Sequence, residues 1–261
     1  MVGMRCPAIH LALGQAKQLS RLAWQGLHQV LWPPVCLCCG GQAGPDNSGL
    51  CSGCWDQLLT STSGEYCLRC GRDASRYGLV DGACPACQAL EIHFDGIARA
   101  GIYTETLRQM ILMFKHDRTE FEALLGSVAD AAFQGSPFYE QIELLVPVPL
   151  HWTRRLARGY NQSRRIAGRL RHPTARICPD LIRVRRTKAQ PAAATAAARQ
   201  RNVEGAFAVR PDHRYAGKTV CLVDDIKTTG ATLNECAKTL KLAGAARVYA
   251  LVLAVAGQDL G

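Results

Sequence analysis

The chain has 261 residues, 48% of them hydrophobic and 20% charged, with 31 Lys and Arg against 21 Asp and Glu for a formal charge of +10. Such a length holds one well-buried domain of roughly 100–200 residues beside a smaller module, and the composition is that of a soluble globular protein. The charge favours polyanionic partners: phosphate-bearing ligands, nucleic acid or an acidic membrane surface. No stretch reaches the ~18 apolar residues of a membrane span, and the N-terminus shows neither a compact apolar core nor a cleavage site, so the expected location is cytoplasmic.

Residues 8–31 place Ile9, Leu13, Ala16, Leu19, Ala23, Leu27 and Val30 mostly three or four apart, which predicts an amphipathic helix. It would pack on the protein or dock on a partner or membrane surface, and Pro33 and Pro34 end it. Of the thirteen cysteines, eight then form four CxxC pairs: Cys36 and Cys39, Cys51 and Cys54, Cys67 and Cys70, Cys84 and Cys87. Without an export signal, metal binding explains them better than disulfides do. Each CxxC knuckle aims two thiolates at one ion, and two knuckles complete a tetrahedral Zn²⁺ shell with no open position, so the sites are expected to be structural. Sequential pairing closes the shorter loops and is favoured, with a cross-braced arrangement as the alternative. Cys38 lies inside the first knuckle as a competing ligand, whereas the isolated Cys6, Cys178, Cys221 and Cys236 read as small buried residues. The interleaved Trp55, Tyr66, Arg69, Arg72, Arg76 and Tyr77 suit either stacking on single-stranded bases or the ribbon's own small core.

From about residue 92 the pattern turns to alternating strands and helices, the mark of βα units around a parallel sheet. Phe94–Tyr103 predicts a strand or hairpin, 104–116 and 119–133 helices, Leu144–Val148 a strand, and Thr153–Leu170 a basic helix. Leu181–Val184 reads as a strand, residues 185–204 as a polar, Ala-rich connection, Ala206–Val209 as a further strand, and Val220–Asp224 and Val248–Val255 as strands flanking a helix over 232–243. The expected organisation is an N-terminal helix over 1–34, a double zinc ribbon over 35–90 and an α/β domain over 91–261.

Two stretches at strand ends carry the chemistry. After Val146-Pro-Val-Pro, residues Arg154, Arg155 and Arg158 crowd a segment with Gly159, Asn161 and Gln162, and guanidinium forks match phosphate oxygens well. A solvated basic helix start is the alternative there. After Val220–Val223 come Asp224 and Asp225, then Thr228, Thr229, Gly230, Ala231 and Thr232 opening a helix. Adjacent carboxylates at a strand's carboxyl end suit vicinal ribose hydroxyls, and the loop offers hydroxyls and N–H groups to a 5′-phosphate. An acidic turn followed by an ordinary capped helix is the bland alternative.

The second stretch resembles the phosphoribosyl-diphosphate (PRPP) signature of type I phosphoribosyltransferases, although Lys227 stands where that family usually has a less charged residue and adds positive charge near the phosphate. Together with Arg158-Gly-Tyr-Asn-Gln162 and the cysteine knuckles, it makes nearly the whole chain resemble the ComF family, competence-related proteins with a double zinc ribbon fused to a phosphoribosyltransferase domain. Leu107–Lys115 resembles that family's helix ending in Lys. Thr187–Gln190, with Arg201-Asn-Val203 and Gly205-Ala-Phe207, resembles its hood loop. The resemblance implies a type I phosphoribosyltransferase fold, with the ribose of PRPP on Asp224 and Asp225, its 5′-phosphate on residues 228–232, its pyrophosphate near the Arg154–Arg158 segment, and Mg²⁺ bridging the pyrophosphate and ribose oxygens. Lys188 and Gln190 would sit on a closing loop. It also implies a role in natural transformation, with single-stranded DNA and DNA-uptake proteins as partners. No acceptor or glutaminase nucleophile is evident in the sequence, so the expectations are phosphoribosyl transfer to an unidentified acceptor, DNA binding with a non-catalytic pocket, or a protein adaptor.

Overall fold

In the computed structural model the described residues are 34–44, 49–87, 90–116, 118–153, 156, 159–187 and 195–256. The expected helix over 8–31 lies outside them, as do Arg154, Arg155, Arg158, Lys188 and Gln190. The chain divides into two compact units, Met1–Trp55 and Asp56–Gly261.

In the first unit Cys36, Cys39, Cys51 and Cys54 converge, and helix α1 (Ser52–Thr62) starts at the second knuckle. The second unit is built on β1 (Gly96–Ile102), followed by α2 (Glu105–Lys115), α3 (Phe121–Gln134) and β2 (Leu144–Pro147). Next come α4 (Gln162–Ala167), β3 (Arg176–Ile177), β4 (Leu181–Arg183), α5 (Ala196–Val203) and β5 (Phe207–Val209). The chain closes with β6 (Thr219–Lys227), α6 (Ala231–Leu242) and β7 (Arg247–Val255).

Five strands form a parallel sheet in the order β1-β7-β6-β2-β3. Its central members read as unbroken apolar runs because both faces are covered: Val220–Val223 and Val248–Val255 are buried throughout, apart from traces of exposure. On one face Leu233, Cys236, Ala237 and Leu240 of α6 pack with Val220, Leu222, Ala250 and Val252. Helix α3 packs on β1 and β7, and α4 on β6 and β2. Cys178, Cys221 and Cys236 are buried as expected, and Cys6 lies outside the described residues.

From β2 the chain steps outward to β3, and from β6 it steps the other way to β7. The sheet therefore has its switch point between β2 and β6, and the crevice beyond their carboxyl ends is where ligands of open α/β sheets bind.

Three expectations need correction. The basic helix over 153–170 is broken, since Gly159 takes φ 74° and Asn161 caps a fresh, shorter α4 by accepting from the Arg164 amide. The 185–204 connection contains α5, capped by Thr195, whose side chain accepts from the Ala198 amide. Strand β4 pairs antiparallel with β5 in a separate two-stranded sheet and does not join the main one.

Candidate functional site

The thiols group sequentially: Cys36, Cys39, Cys51 and Cys54 in one set, Cys67, Cys70, Cys84 and Cys87 in the other, each set's sulfurs lying within 4.8 Å of one another. Four sulfurs at the Zn–S distance of a tetrahedral site stand about 3.8 Å apart. The Cys39–Cys51 and Cys70–Cys84 separations are both 3.7 Å, so the sets fit zinc. Knuckle amides face the sulfurs, with Cys84 N–H donating to Cys67 Sγ at 3.2 Å. Burial opposes ionisation of Cys36 and Cys67, yet neighbouring amides outweigh it and draw the two thiols down to about 6 and about 7. Cys38 lies outside the first set, and burial pushes its thiol up.

The second set sits against the sheet's edge strand. Ile97 N–H donates to the Leu68 carbonyl at 2.8 Å, and the Arg99 guanidinium donates to Gly71 O at 2.9 Å and pairs with Asp73. That guanidinium also stands 4.8 Å from the centroid of the Tyr66 ring. Tyr66 accordingly serves the ribbon's own packing, while Tyr77 is 94% exposed.

At the switch point, β6 runs past both acids to Lys227, because main-chain pairing with β7 continues irrespective of side chain. Asp224 Oδ1 accepts from Ser163 Oγ and from the Asp225 amide, each at 2.9 Å. Asp225 pairs with Lys115 Nζ at 3.0 Å. Burial, joined by the Asp225 charge, raises the Asp224 carboxyl to about 7. Gly230 takes φ 85° to turn the loop into α6, a left-handed conformation that a side chain would strain. Thr228–Thr232 line one polar cavity of about 230 Å³ with Asp224, Lys227, Arg183, Arg199 and Asn202.

A second, larger groove of about 680 Å³ is lined by Trp152, Gly159, Tyr160, Asn161, Arg164, Arg210 and again Arg183. Asn161 Nδ2 donates to Val148 O, which fixes the segment after β2, and the Tyr160 hydroxyl donates to the Phe114 carbonyl. Gln162 is 1% exposed and lines neither cavity. Lys115, Ser163, Arg183 and Arg199 went unassigned from sequence. Only Lys115, ending the helix 107–115 singled out above, carried a local signal.

Because the folded Asp224 carboxyl is raised above its unfolded value, it binds its proton more tightly when folded, and stability falls as pH rises from about 4 towards about 7. Asp224→Asn removes that slope. Urea melts are expected to show the variant gaining on the parent by a few kcal/mol, on the order of the shift, at pH 8 but not at pH 4.

Residues 27–89 match the double zinc ribbon domain family and residues 159–260 the phosphoribosyl transferase domain family. The chain is 32% identical to competence protein F of Haemophilus influenzae over 228 residues, which cover 84% of this chain and 96% of that protein. The chain belongs to the ComF family. Other ComF relatives include competence protein ComFC of Bacillus subtilis, 26% identical over 85% of this chain and 93% of that one. DNA utilization protein YhgH of Escherichia coli is 30% identical over 83% of this chain and 94% of its own length. The two ComF domain matches bracket the features above: the ribbon match spans all eight knuckle cysteines, and the transferase match spans the acids, the Thr/Gly loop and α4. Among the described residues, no helix is long and apolar enough to cross a membrane.

Proposed function

We propose that this ComF-family chain binds PRPP with Mg²⁺ in the crevice between β2 and β6, as a competence-related protein working in the cytoplasm. The observation that carries this reading is the meeting of two sequence stretches at one switch point: the Asp224–Thr232 stretch that ends β6 and opens α6, and the segment around Gly159–Asn161 after β2. Asp224 and Asp225 suit the ribose hydroxyls, and the amides and hydroxyls of Thr228, Thr229, Gly230, Ala231 and Thr232 suit the 5′-phosphate. Arg154, Arg155 and Arg158, beside Gly159, are assigned to the pyrophosphate, with Lys188 and Gln190 closing over it. Mg²⁺ prefers to share its shell between water, a carboxylate and substrate phosphates, which the Asp pair beside a bound pyrophosphate provides.

Phosphoribosyl transfer to a nucleophile would break the anomeric C–O bond, with the electron pair leaving on pyrophosphate. The chain's part would be to position the sugar, neutralise the departing charge and exclude water. Lys115 and Ser163 hold the two carboxylates in place for that task.

A second reading is favoured by the larger groove. Trp152 is 64% exposed there beside Arg164 and Arg210, whose side chains form no ion pair among the described residues. An exposed aromatic among arginines is the arrangement that holds single-stranded nucleic acid. Relatives named for competence and DNA utilization support DNA-uptake proteins as partners. Calorimetric titration of the zinc-loaded chain with PRPP and Mg²⁺, beside titration with a single-stranded oligonucleotide at several salt concentrations, tests both. PRPP binding supports the first reading. Its absence, with steeply salt-dependent oligonucleotide binding, transfers the function to the groove.

A further inference from the structure

Lys227 is the last residue of β6 and is 7% exposed, yet its ammonium forms no hydrogen bond or ion pair among the described residues. Burying a cation in this way is unfavourable unless anions stand near it. Two neighbourhoods flank it. On one side its side chain runs under the Thr/Gly loop, where a Cβ built on Gly230 would lie 3.0 Å from Lys227 Cε and 3.6 Å from Nζ. On the other side is a cavity of about 280 Å³ whose wall includes Cys70 and Arg72. Burial disfavours the Lys227 charge, Cys70, Cys87 and Cys67 favour it, and Arg72 opposes it. Among the described residues, Lys227 is the cation that lines both this cavity and the polar one holding Asp224 and Thr228–Thr232.

Four thiolates around one Zn²⁺ leave the second ribbon site with a net charge of about −2, and a sugar phosphate in the loop brings about the same. Lys227 lies between them. We propose that Lys227 couples the second zinc site to the anion loop, acting as a counter-ion shared by the tetrathiolate and a loop-bound phosphate. Zinc in the Cys67–Cys87 set keeps the ammonium beneath Gly230, ready for the phosphate. A bound phosphate holds Lys227 and the loop over Cys70 and shields that set. Such linkage is reciprocal by thermodynamic necessity. The ribbon next to the sheet is then part of the ligand site's electrostatics as well as a folding staple. The inference rests on the reading of residues 228–232 as a sugar-phosphate loop.

The test is alkylation of the zinc-loaded full chain by iodoacetamide, scored cysteine by cysteine by mass spectrometry, with and without ribose 5-phosphate. The ligand is expected to slow labelling of Cys67, Cys70, Cys84 and Cys87 about threefold or more, while Cys36, Cys39, Cys51 and Cys54 label at unchanged rates. Lys227→Met keeps most of the side chain's length and removes its charge. It is expected to speed labelling of the second set about tenfold, to weaken ribose 5-phosphate binding about tenfold, and to abolish the protection even at saturating ligand. Protection that persists in Lys227→Met overturns the role of the lysine. If ribose 5-phosphate binds the parent but leaves the second set's labelling unmoved, the coupling is wrong and the phosphate loop stands. If it does not bind the parent at all, the loop reading itself falls, and the coupling falls with it. Should the variant fail to fold, the parent's labelling with and without ligand decides alone.

Discussion

Changing Asp224 and Asp225 together to Asn is expected to weaken PRPP binding about 100-fold or more while leaving the fold intact. The two carboxylates stand at the open end of β6, where each is held by a neighbour: Asp224 by Ser163 and Asp225 by Lys115. Hydrogen bonds to charged groups contribute about 1.5–3 kcal/mol each, so losing two charge-assisted contacts to ribose hydroxyls accounts for that loss. The fold does not depend on them in the same way. Asparagine keeps an oxygen for the Ser163 hydroxyl and the local amide, and it relieves the burial that raises the Asp224 carboxyl to about 7. Titration calorimetry checks the binding and a denaturant melt the fold. A double variant that binds PRPP as the parent does would remove the acids from the ligand site.

The second large effect is expected from Cys70→Ser. Cys70 is 1% exposed, and its sulfur lies 3.7 Å from Cys84 Sγ within the second set. Structural zinc supplies folding free energy directly, with apparent values of about 10–16 kcal/mol in small zinc-finger peptides. Losing one thiolate should lower zinc content from two ions per chain to one. The damage then reaches the sheet, because β1 is tied to this ribbon through Ile97 to Leu68 and through Arg99 to Gly71 and Asp73. With the ribbon gone, the Arg99 guanidinium, 2% exposed, loses the Gly71 carbonyl and the Asp73 carboxylate, which is itself 62% exposed, and hydrogen bonds to charged groups of this kind contribute about 1.5–3 kcal/mol. Metal analysis and urea unfolding followed together measure both consequences. Full zinc retention with unchanged stability would show that Cys70 is not a ligand.

The sheet was largely legible from sequence, because strands buried on both faces show as unbroken apolar runs such as Val220–Val223 and Val248–Val255. The cysteine sets were legible for a different reason: CxxC spacing is a local geometric requirement of the metal. What failed locally was helix length. A run of arginines after residue 153 has helical propensity throughout, and only the left-handed turn at Gly159 shows that α4 starts afresh. Helix α5 was hidden because its alanines and arginines give no apolar stripe, so its helicity depends on the Thr195 cap and on packing against α6.

The candidate site divides in the same way. Asp224, Asp225 and residues 228–232 are contiguous, and a single segment encodes strand, acids and loop. Ser163 and Lys115 reach the acids from 61 and 110 residues away, and Arg183 and Arg199 come to the loop from a separate small sheet and its helix. Their roles depend on tertiary placement, to which no local spacing corresponds. Lys227 is intermediate: its charge was conspicuous in the sequence, but its burial between the loop and the Cys70 wall emerges only from the fold.

The most direct measurement is a crystal structure of the zinc-loaded chain with PRPP and Mg²⁺. The expected result places the 5′-phosphate on the amides of Thr228–Thr232, the ribose hydroxyls on Asp224 and Asp225, and the pyrophosphate towards Gly159 and the arginines that precede it. PRPP found elsewhere, or a loop left empty at saturating ligand, would contradict the account.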